Sequence, residues 1–100
     1  LTYLQLTLKI KNANREAAIH IYNKTNIFLD TISGAESKSL LIRKEDIQIL
    51  YGFSNSRKAK SYLSSKMFVN NIMDELEPLL ISVPEVRLYQ ASHNPSLHFS

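Results

Sequence analysis

An alternating run near the start of the chain constrains its fold more than any other feature. From Thr2 to Lys11, apolar side chains occupy every second position: Leu4, Leu6, Leu8 and Ile10. Because successive side chains of a strand point to opposite faces, this spacing predicts a strand with one apolar face, which we call its dry face. It is the driest strand face in the sequence, so we expect helices to cover it.

In the segment that follows, the spacing of the apolar residues changes. Apolar residues recur at helical rather than alternating positions, namely Ala18, Ile21, Phe28, Leu29 and Ile32. We predict a helix from about Arg15 to Thr31, followed by Ser33-Gly34, which supplies the residue type that ends helices with a positive φ. Two β-rich runs, 37–43 and 47–53, flank a charged triplet at 44–46 and predict a hairpin.

A second helical region and a last strand complete the chain. Capping side chains at 54–56 precede a predicted helix from Arg57 to Leu63, and a further helical run extends from about Lys66 to Leu80. The two runs are separated near Ser64-Ser65, and Pro78 should loosen the end of the second. Residues 86–90 alternate again and predict a strand.

The order strand, helix, strand, strand, helix, strand is typical of a ferredoxin-like βαββαβ sandwich of the α+β class. We expect one domain over residues 1–91 and a polar tail over 92–100. The two helices should cover one sheet face and leave the other bare, and apolar residues such as Leu41 and Leu50 occur on both parities of the middle strands. A bare sheet face of this kind favours a homodimer in which two sheets pack face to face.

Composition excludes several classes of site. The 100-residue chain has no cysteine, so it has no thiolate zinc site, disulfide or cysteine nucleophile. Gly34 and Gly52 are its only glycines, which excludes a glycine-rich phosphate loop. His20, His93 and His98 lack the spacing of a zinc helix, so we predict no metal site.

No apolar stretch exceeds four residues, whereas a membrane-spanning helix needs about 20. We therefore expect no membrane partner and a cytoplasmic location. The net charge of +3 is compatible with nucleic acid or an acidic ligand but requires neither. Basic residues at 57–60 are typical of a solvated helix face, as are the acids at 74–77.

The aromatic residues offer two interpretations. Tyr51 and Phe53 share one face of the third strand, and Tyr22 and Tyr62 lie on the helices that should cover a sheet face. They can line an aromatic pocket, or they can fill the core of a small domain.

A third interpretation is RNA recognition, because the RNA-recognition module shares this strand order and stacks bases on sheet aromatics. Tyr3, Tyr51 and Phe53 lie on the two strands that the module uses. The basic-Gly-aromatic run is incomplete around Tyr51-Gly52-Phe53, which argues against nucleic acid as a partner. RNA binding requires Tyr51 and Phe53 on the helix-free face.

The second half of the chain carries a family resemblance. Its motifs are Ile49-Leu50-Tyr51-Gly52-Phe53, the small-residue break Ser64-Ser65, Leu76-Glu77-Pro78-Leu79-Leu80, and Pro84-Glu85-Val86 before a Tyr-containing strand. With this spacing, residues 47–89 resemble the antibiotic biosynthesis monooxygenase-like family of dimeric α+β barrels. The resemblance implies a homodimer with a ligand cavity between sheet and helices. Several members oxidise quinol-like or polyketide aromatics with molecular oxygen and no cofactor.

A haem-degrading branch of the family uses an Asn, a Trp and a haem-ligating His. The matching positions here are Leu6, Phe53 and Ile72, so the resemblance implies no haem. With haem removed, the cofactor-free members imply that no cofactor is needed. The short helix carries Tyr62 where the family often has a His, which weakens a quinol-type assignment.

We therefore predict a small, mostly apolar cavity with Tyr51 and Tyr62 as catalytic hydrogen-bond donors, and with Asn70 or Asn71 as further candidates. The predicted substrate-binding residues are Leu6, Leu8, Tyr22, Phe53, Phe68 and Ile72. Two functions remain open: a cofactor-independent monooxygenase acting on a small aromatic or quinol-like substrate, and a non-catalytic barrel. The second would bind a small apolar ligand or serve only for dimerisation.

Overall fold

A computed structural model describes residues 1–26 and 31–92 of the chain. The strands are β1 (Thr2–Leu8), β2 (Ala35–Ile42), β3 (Ile47–Phe53) and β4 (Glu85–Gln90). The α-helices are α1 (Arg15–Asn26), α2 (Ser56–Leu63) and the short α3 (Asp74–Leu76). A π-helical segment, Met67–Met73, leads directly into α3, and single 3-10 turns lie at Asn12–Asn14 and Glu77–Leu79.

The four strands form one antiparallel sheet in the order β2-β3-β1-β4. This order, with helical segments between β1 and β2 and between β3 and β4, confirms the predicted ferredoxin-like α+β fold. The register places Leu4 beside Tyr51 and Leu6 beside Ile49, so the apolar positions of the two central strands share a face.

The predicted dry face of β1 is the face that the helices cover. Leu4, Leu6 and Leu8 are at most 1% exposed, and Ile10 is 4% exposed. The helices contribute buried residues from α1, α2, the π-helical segment and α3: Ala18, Tyr22, Ala59, Tyr62, Phe68, Ile72 and Leu76. Edge strand β4, in contrast, is exposed along its whole length.

The first half of the chain differs from the sequence prediction in its boundaries. Strand β1 ends at Leu8 rather than Lys11, and Ile10 forms an isolated bridge with Leu80. Helix α1 starts at Arg15 as predicted and is described to Asn26, while 27–30 lie outside the described residues. Gly34 has the predicted positive φ of 79°, at the turn into β2.

The second half confirms the predicted caps and the break. The Asn55 side chain accepts a 2.9 Å hydrogen bond from the Lys58 amide and caps α2, which ends at Leu63 just before Ser64-Ser65. Beyond the break the expected α-helix is instead π-helical, with the Asp74 amide donating to the Val69 carbonyl five residues earlier. Pro78 lies in the closing 3-10 turn.

Apart from Ser92, the predicted polar tail over 92–100 lies outside the described residues. None of the helices within 1–26 and 31–92 has the length and apolar character to cross a membrane.

Candidate functional site

Four aromatic side chains form a cluster between the sheet and the second helical region. Tyr51 and Phe53 come from β3, Tyr62 from α2 and Phe68 from the π-helical segment, and each is at most 6% exposed. The Tyr62 ring is central, with ring centroids 5.1 Å from Tyr51, 5.6 Å from Phe53 and 5.2 Å from Phe68. These tilted contacts are the geometry that aromatic pairs prefer.

The two tyrosines of this cluster are hydrogen-bonded to each other. The Tyr62 hydroxyl donates to the Tyr51 hydroxyl at 3.0 Å within the core. Burial raises the pKa of Tyr62 to about 12, although its hydrogen bond with Tyr51 acts in the opposite direction. Burial also raises the pKa of Tyr51 well above its usual value, and the neighbouring Tyr62 adds to that increase. Both phenols are therefore neutral at physiological pH and act as donors rather than bases.

The structure places the predicted substrate-binding residues in one packed core with these rings. Leu6 and Phe53 are 0% exposed, Leu8 is 1%, Ile72 is 3%, Phe68 is 6% and Tyr22 is 9%. All belong to the same hydrophobic cluster as Tyr51 and Tyr62. They are together as predicted, and their role in binding a substrate stays a prediction.

A cavity of about 220 Å³ adjoins the cluster, and we call it the Lys58 cavity. It lies where the turn before β2 meets α2 and the start of the π-helical segment. Its polar lining residues are Thr31, Ser33, Lys58, Ser61 and Ser65, and the others are Ile32, Tyr62 and Met67. Tyr62 belongs both to the wall of this cavity and to the aromatic cluster, so it connects the open space with the buried tyrosine pair.

Lys58 is held in place at this cavity. Its Nζ donates to Ser33 Oγ at 2.8 Å. Its stem lies over Gly34, where a Cβ would be 2.6 Å from Lys58 Cγ. The expectation that residues 57–60 form a solvated face is therefore wrong for Lys58, which is half-buried, and correct for Arg57 and Lys60, which are exposed.

Sequence reasoning missed most of the residues that line the Lys58 cavity. Ser65 lies at the predicted break: its Oγ donates to the Tyr62 carbonyl at 2.6 Å at the end of α2 and accepts from the Phe68 amide at 3.2 Å in the next helical segment. The sequence carries no local signal for this cavity, because the cavity depends on the tertiary approach of the Ser33-Gly34 turn to Lys58 on α2.

A second cavity, of about 460 Å³, lies before β4 at the other end of the helical layer. Its lining is mainly apolar, with Glu77 as the ionisable member: Met73, Glu77, Leu80, Ile81, Ser82, Val83 and Pro84. It shares no residue with the aromatic cluster, so the Lys58 cavity is the better candidate for the predicted chemistry.

Other candidate groups lie elsewhere. Asn70 is exposed, so the structure does not bring it to the tyrosine pair, and the side chain of Asn71 is not described. His20 is exposed on α1, while His93 and His98 lie outside the described residues. Within the described ranges, no three His, Asp or Glu side chains are grouped in a way that could hold a metal ion.

The RNA interpretation required Tyr51 and Phe53 on the helix-free face. Both rings instead lie under α2, in contact with Tyr62. Tyr3 occupies the opposite face, opposite Gly52 in the register. These two rings therefore form no platform for stacked bases.

Solved structures match the chain, whereas the comparisons with family models and curated proteins find no match. A protein from Nitrosomonas europaea, named as a candidate antibiotic biosynthesis monooxygenase, superposes with a TM-score of 0.80 at 8% identity. The match covers 93% of this chain and 100% of that chain.

Two further structures show the same likeness. A candidate antibiotic biosynthesis monooxygenase from Caulobacter crescentus gives a TM-score of 0.78 at 14% identity, over 92% of this chain and 90% of its own. SnoaB, a cofactor-independent oxygenase from Streptomyces nogalater, gives 0.75 at 14% identity, over 96% and 97% of the two chains.

The sheet order and the aromatic cluster define a ferredoxin-like α+β domain with a small cavity beside its core. The chain has the fold of the antibiotic biosynthesis monooxygenase-like proteins, as the motifs at 47–89 predicted. At identities of 8 to 14%, the shared property is the fold itself.

Proposed function

We propose that this protein is a cofactor-independent monooxygenase acting on a small aromatic or quinol-like substrate in the Lys58 cavity. The observation that carries the proposal is the position of Tyr62, on the cavity wall and hydrogen-bonded to Tyr51. The fold likeness to SnoaB, named as a cofactor-independent oxygenase, supports the same class of reaction.

The proposed reaction needs stabilisation of a substrate anion. The substrate loses a proton to solvent, and its anion gives an electron to molecular oxygen. One oxygen atom replaces two hydrogens as a new carbonyl, and the other leaves as water. Because a hydroxyl can rotate, Tyr51 can donate to Tyr62 and leave the Tyr62 proton for the substrate oxygen. A donor aimed at developing negative charge is the protein's contribution to such a step.

A specific observation favours a second candidate function, a non-catalytic barrel. The predicted substrate-binding residues are at most 9% exposed and packed together. In that case the tyrosine pair stabilises the core, and the protein binds a small apolar ligand or serves for dimerisation alone.

Oxygen consumption with a hydroquinone and with an anthrone distinguishes the two. As an enzyme, the protein consumes oxygen with one of them, and Tyr62→Phe lowers the rate roughly 100-fold, as loss of an anion-stabilising donor does. Tyr3→Phe, on the opposite sheet face, is the matched control and should retain the wild-type rate. Absence of turnover in the wild type with either compound would favour the non-catalytic barrel.

We further propose that residues 1–91 act as one domain and that the protein works as a homodimer in the cytoplasm. The dimer is supported by the helix-free sheet face, where the structure places both Leu41 and Leu50.

A further inference from the structure

Lys58 presents a charge whose position is fixed before any ligand binds. A lysine normally loses considerable rotamer freedom when it engages a ligand. Here the contact of its stem with Gly34 and the 2.8 Å hydrogen bond to Ser33 Oγ already restrict it. Because the Lys58 side chain is already ordered, binding a ligand to its ammonium group costs less side-chain conformational entropy.

The charge of Lys58 is not neutralised within the described part of the chain. The carboxylates that form ion pairs there bind other cations, as in Lys24–Glu75, Arg43–Asp46 and Arg87–Glu85. Lys58 Nζ instead donates to a neutral serine hydroxyl. Since an ammonium group has three N–H donors, it retains two for a ligand.

The rest of the cavity limits the size and character of that ligand. About 220 Å³ is below the roughly 300–1,000 Å³ of pockets for drug-sized molecules, so the cavity suits a small ligand such as a single ring. Ile32 and Met67 form the apolar wall, and the other polar side chains of the lining are hydroxyls: Thr31, Ser33, Ser61 and Ser65. Since Lys58 is the one charged residue among the described lining residues and the hydroxyls are neutral, the cavity is suited to a ligand with a single negative charge.

We propose that the Lys58 cavity binds a single-ring carboxylate, with its carboxylate on Lys58 Nζ and its ring against Ile32, Met67 and Tyr62. Where this inference rests on the proposed function, the substrate class becomes a hydroquinone that carries a carboxylate. Binding itself requires no oxygen chemistry and is tested separately.

Titration with benzoate and with its neutral analogue benzamide, followed by amide NMR spectra, tests the site. We expect benzoate to shift the amides of Ser33, Ser61 and Tyr62 saturably and to bind at least tenfold more tightly than benzamide. Lys58→Met keeps the stem over Gly34 and removes the charge, so it should abolish that preference. Lys60→Met removes an equal charge from the exposed face of α2 and should leave it unchanged.

Equal affinities for benzoate and benzamide, no saturable binding of benzoate, or an unchanged preference in Lys58→Met would each overturn the inference. A preserved amide spectrum in Lys58→Met verifies that the variant folds. Benzoate binding without oxygen consumption by any carboxylated hydroquinone would support the site and remove the monooxygenase proposal. Equal turnover of hydroquinones with and without a carboxylate would support the monooxygenase proposal and remove the carboxylate site.

Discussion

The amine of Lys38 on β2 lies 4.4 Å from the ring centroid of Tyr22 on α1, so a cation is held against an aromatic face. The same Nζ lies 5.6 Å from the ring centroid of Tyr51. Burial lowers the pKa of Lys38 from 10.5 to about 8. The aromatic faces attract the charged amine, but the loss of hydration has the larger effect.

This lowered pKa predicts an alkaline rise in stability. Between about pH 8 and pH 10.5 the folded protein releases the Lys38 proton while the unfolded chain retains it. The unfolded state then binds more protons, so the free energy of unfolding increases with pH across this window. In urea unfolding, the free energy of unfolding of Lys38→Met should rise less with pH than that of the wild type. Lys60→Met, at an exposed site, should follow the wild type. Parallel profiles for Lys38→Met and the wild type would contradict the prediction.

Gly34→Ala should destabilise the protein by about 1–3 kcal/mol. Its φ of 79° is unfavourable for alanine, and the new Cβ would lie 2.6 Å from Lys58 Cγ. Chemical denaturation measures the loss. In a Lys58→Ala background the clashes with Lys58 Cγ and Cδ disappear while the one with Cβ at 2.7 Å remains, so the same change should cost somewhat less there. An equal cost in both backgrounds would show that the contacts with Lys58 Cγ and Cδ contribute nothing.

The hydrogen bond between Tyr51 and Tyr62 should appear as a coupling energy. Either single change to Phe leaves a buried hydroxyl without its 3.0 Å partner and should cost about 1–3 kcal/mol. The double variant should cost less than the two single variants together, because neither hydroxyl remains. Urea unfolding of the four proteins gives the coupling directly, and simple additivity would show that the bond is not formed in solution.

Asp46 should account for part of the loss of folding stability at low pH. Arg43 donates to both of its carboxylate oxygens at 2.7 Å, and this hydrogen bonding lowers the pKa of Asp46. The stabilisation is present above the unfolded-state pKa of about 3.9 and is lost as pH falls through the lower folded-state pKa. Asp46→Asn should lose this acid-dependent decline in its urea midpoint, while Asp74→Asn, at an exposed site, should retain it.

The helix-free sheet face should form a homodimer interface. It carries Leu41, 43% exposed, and Tyr89, 47% exposed. Light scattering at low micromolar concentration should give about twice the monomer mass of 11.5 kDa. Leu41→Lys should shift the protein toward monomer because the interface would bury a charge. Val69→Lys, at a helical site that is 44% exposed, is the matched control. A wild-type monomer would remove the barrel proposal.

The elements predicted correctly are those with a strong local signal. Strict alternation in β1 predicted which of its faces is covered, and the capping side chains at 54–56 predicted the start of α2. The π-helical form of 67–73 left no such sign, because apolar residues four apart, as at Phe68 and Ile72, are equally typical of an amphipathic α-helix.

The Lys58 cavity could not be predicted in the same way. It depends on a turn at Ser33-Gly34 meeting a helix at Lys58, and nothing in the local period of either segment specifies that contact. Lys58 lies among basic residues whose pattern is typical of a solvated helix face. Only the approach of Gly34 in the folded protein distinguishes it from Arg57 and Lys60. The aromatic cluster was foreseen because side-chain parity and family resemblance both placed its members together.

The central position of β1 has a consequence for how the protein is made. Leu4 pairs with Tyr51 on one side and with Leu88 on the other, so both neighbours of β1 are synthesised long after it. During translation this apolar strand has no partner until β3 emerges, and it remains an open edge until β4 arrives. Pairing between distant segments also slows folding relative to helical bundles of similar size. The nascent chain is thus most exposed to aggregation before β4 leaves the ribosome, which is when chaperone protection would matter most.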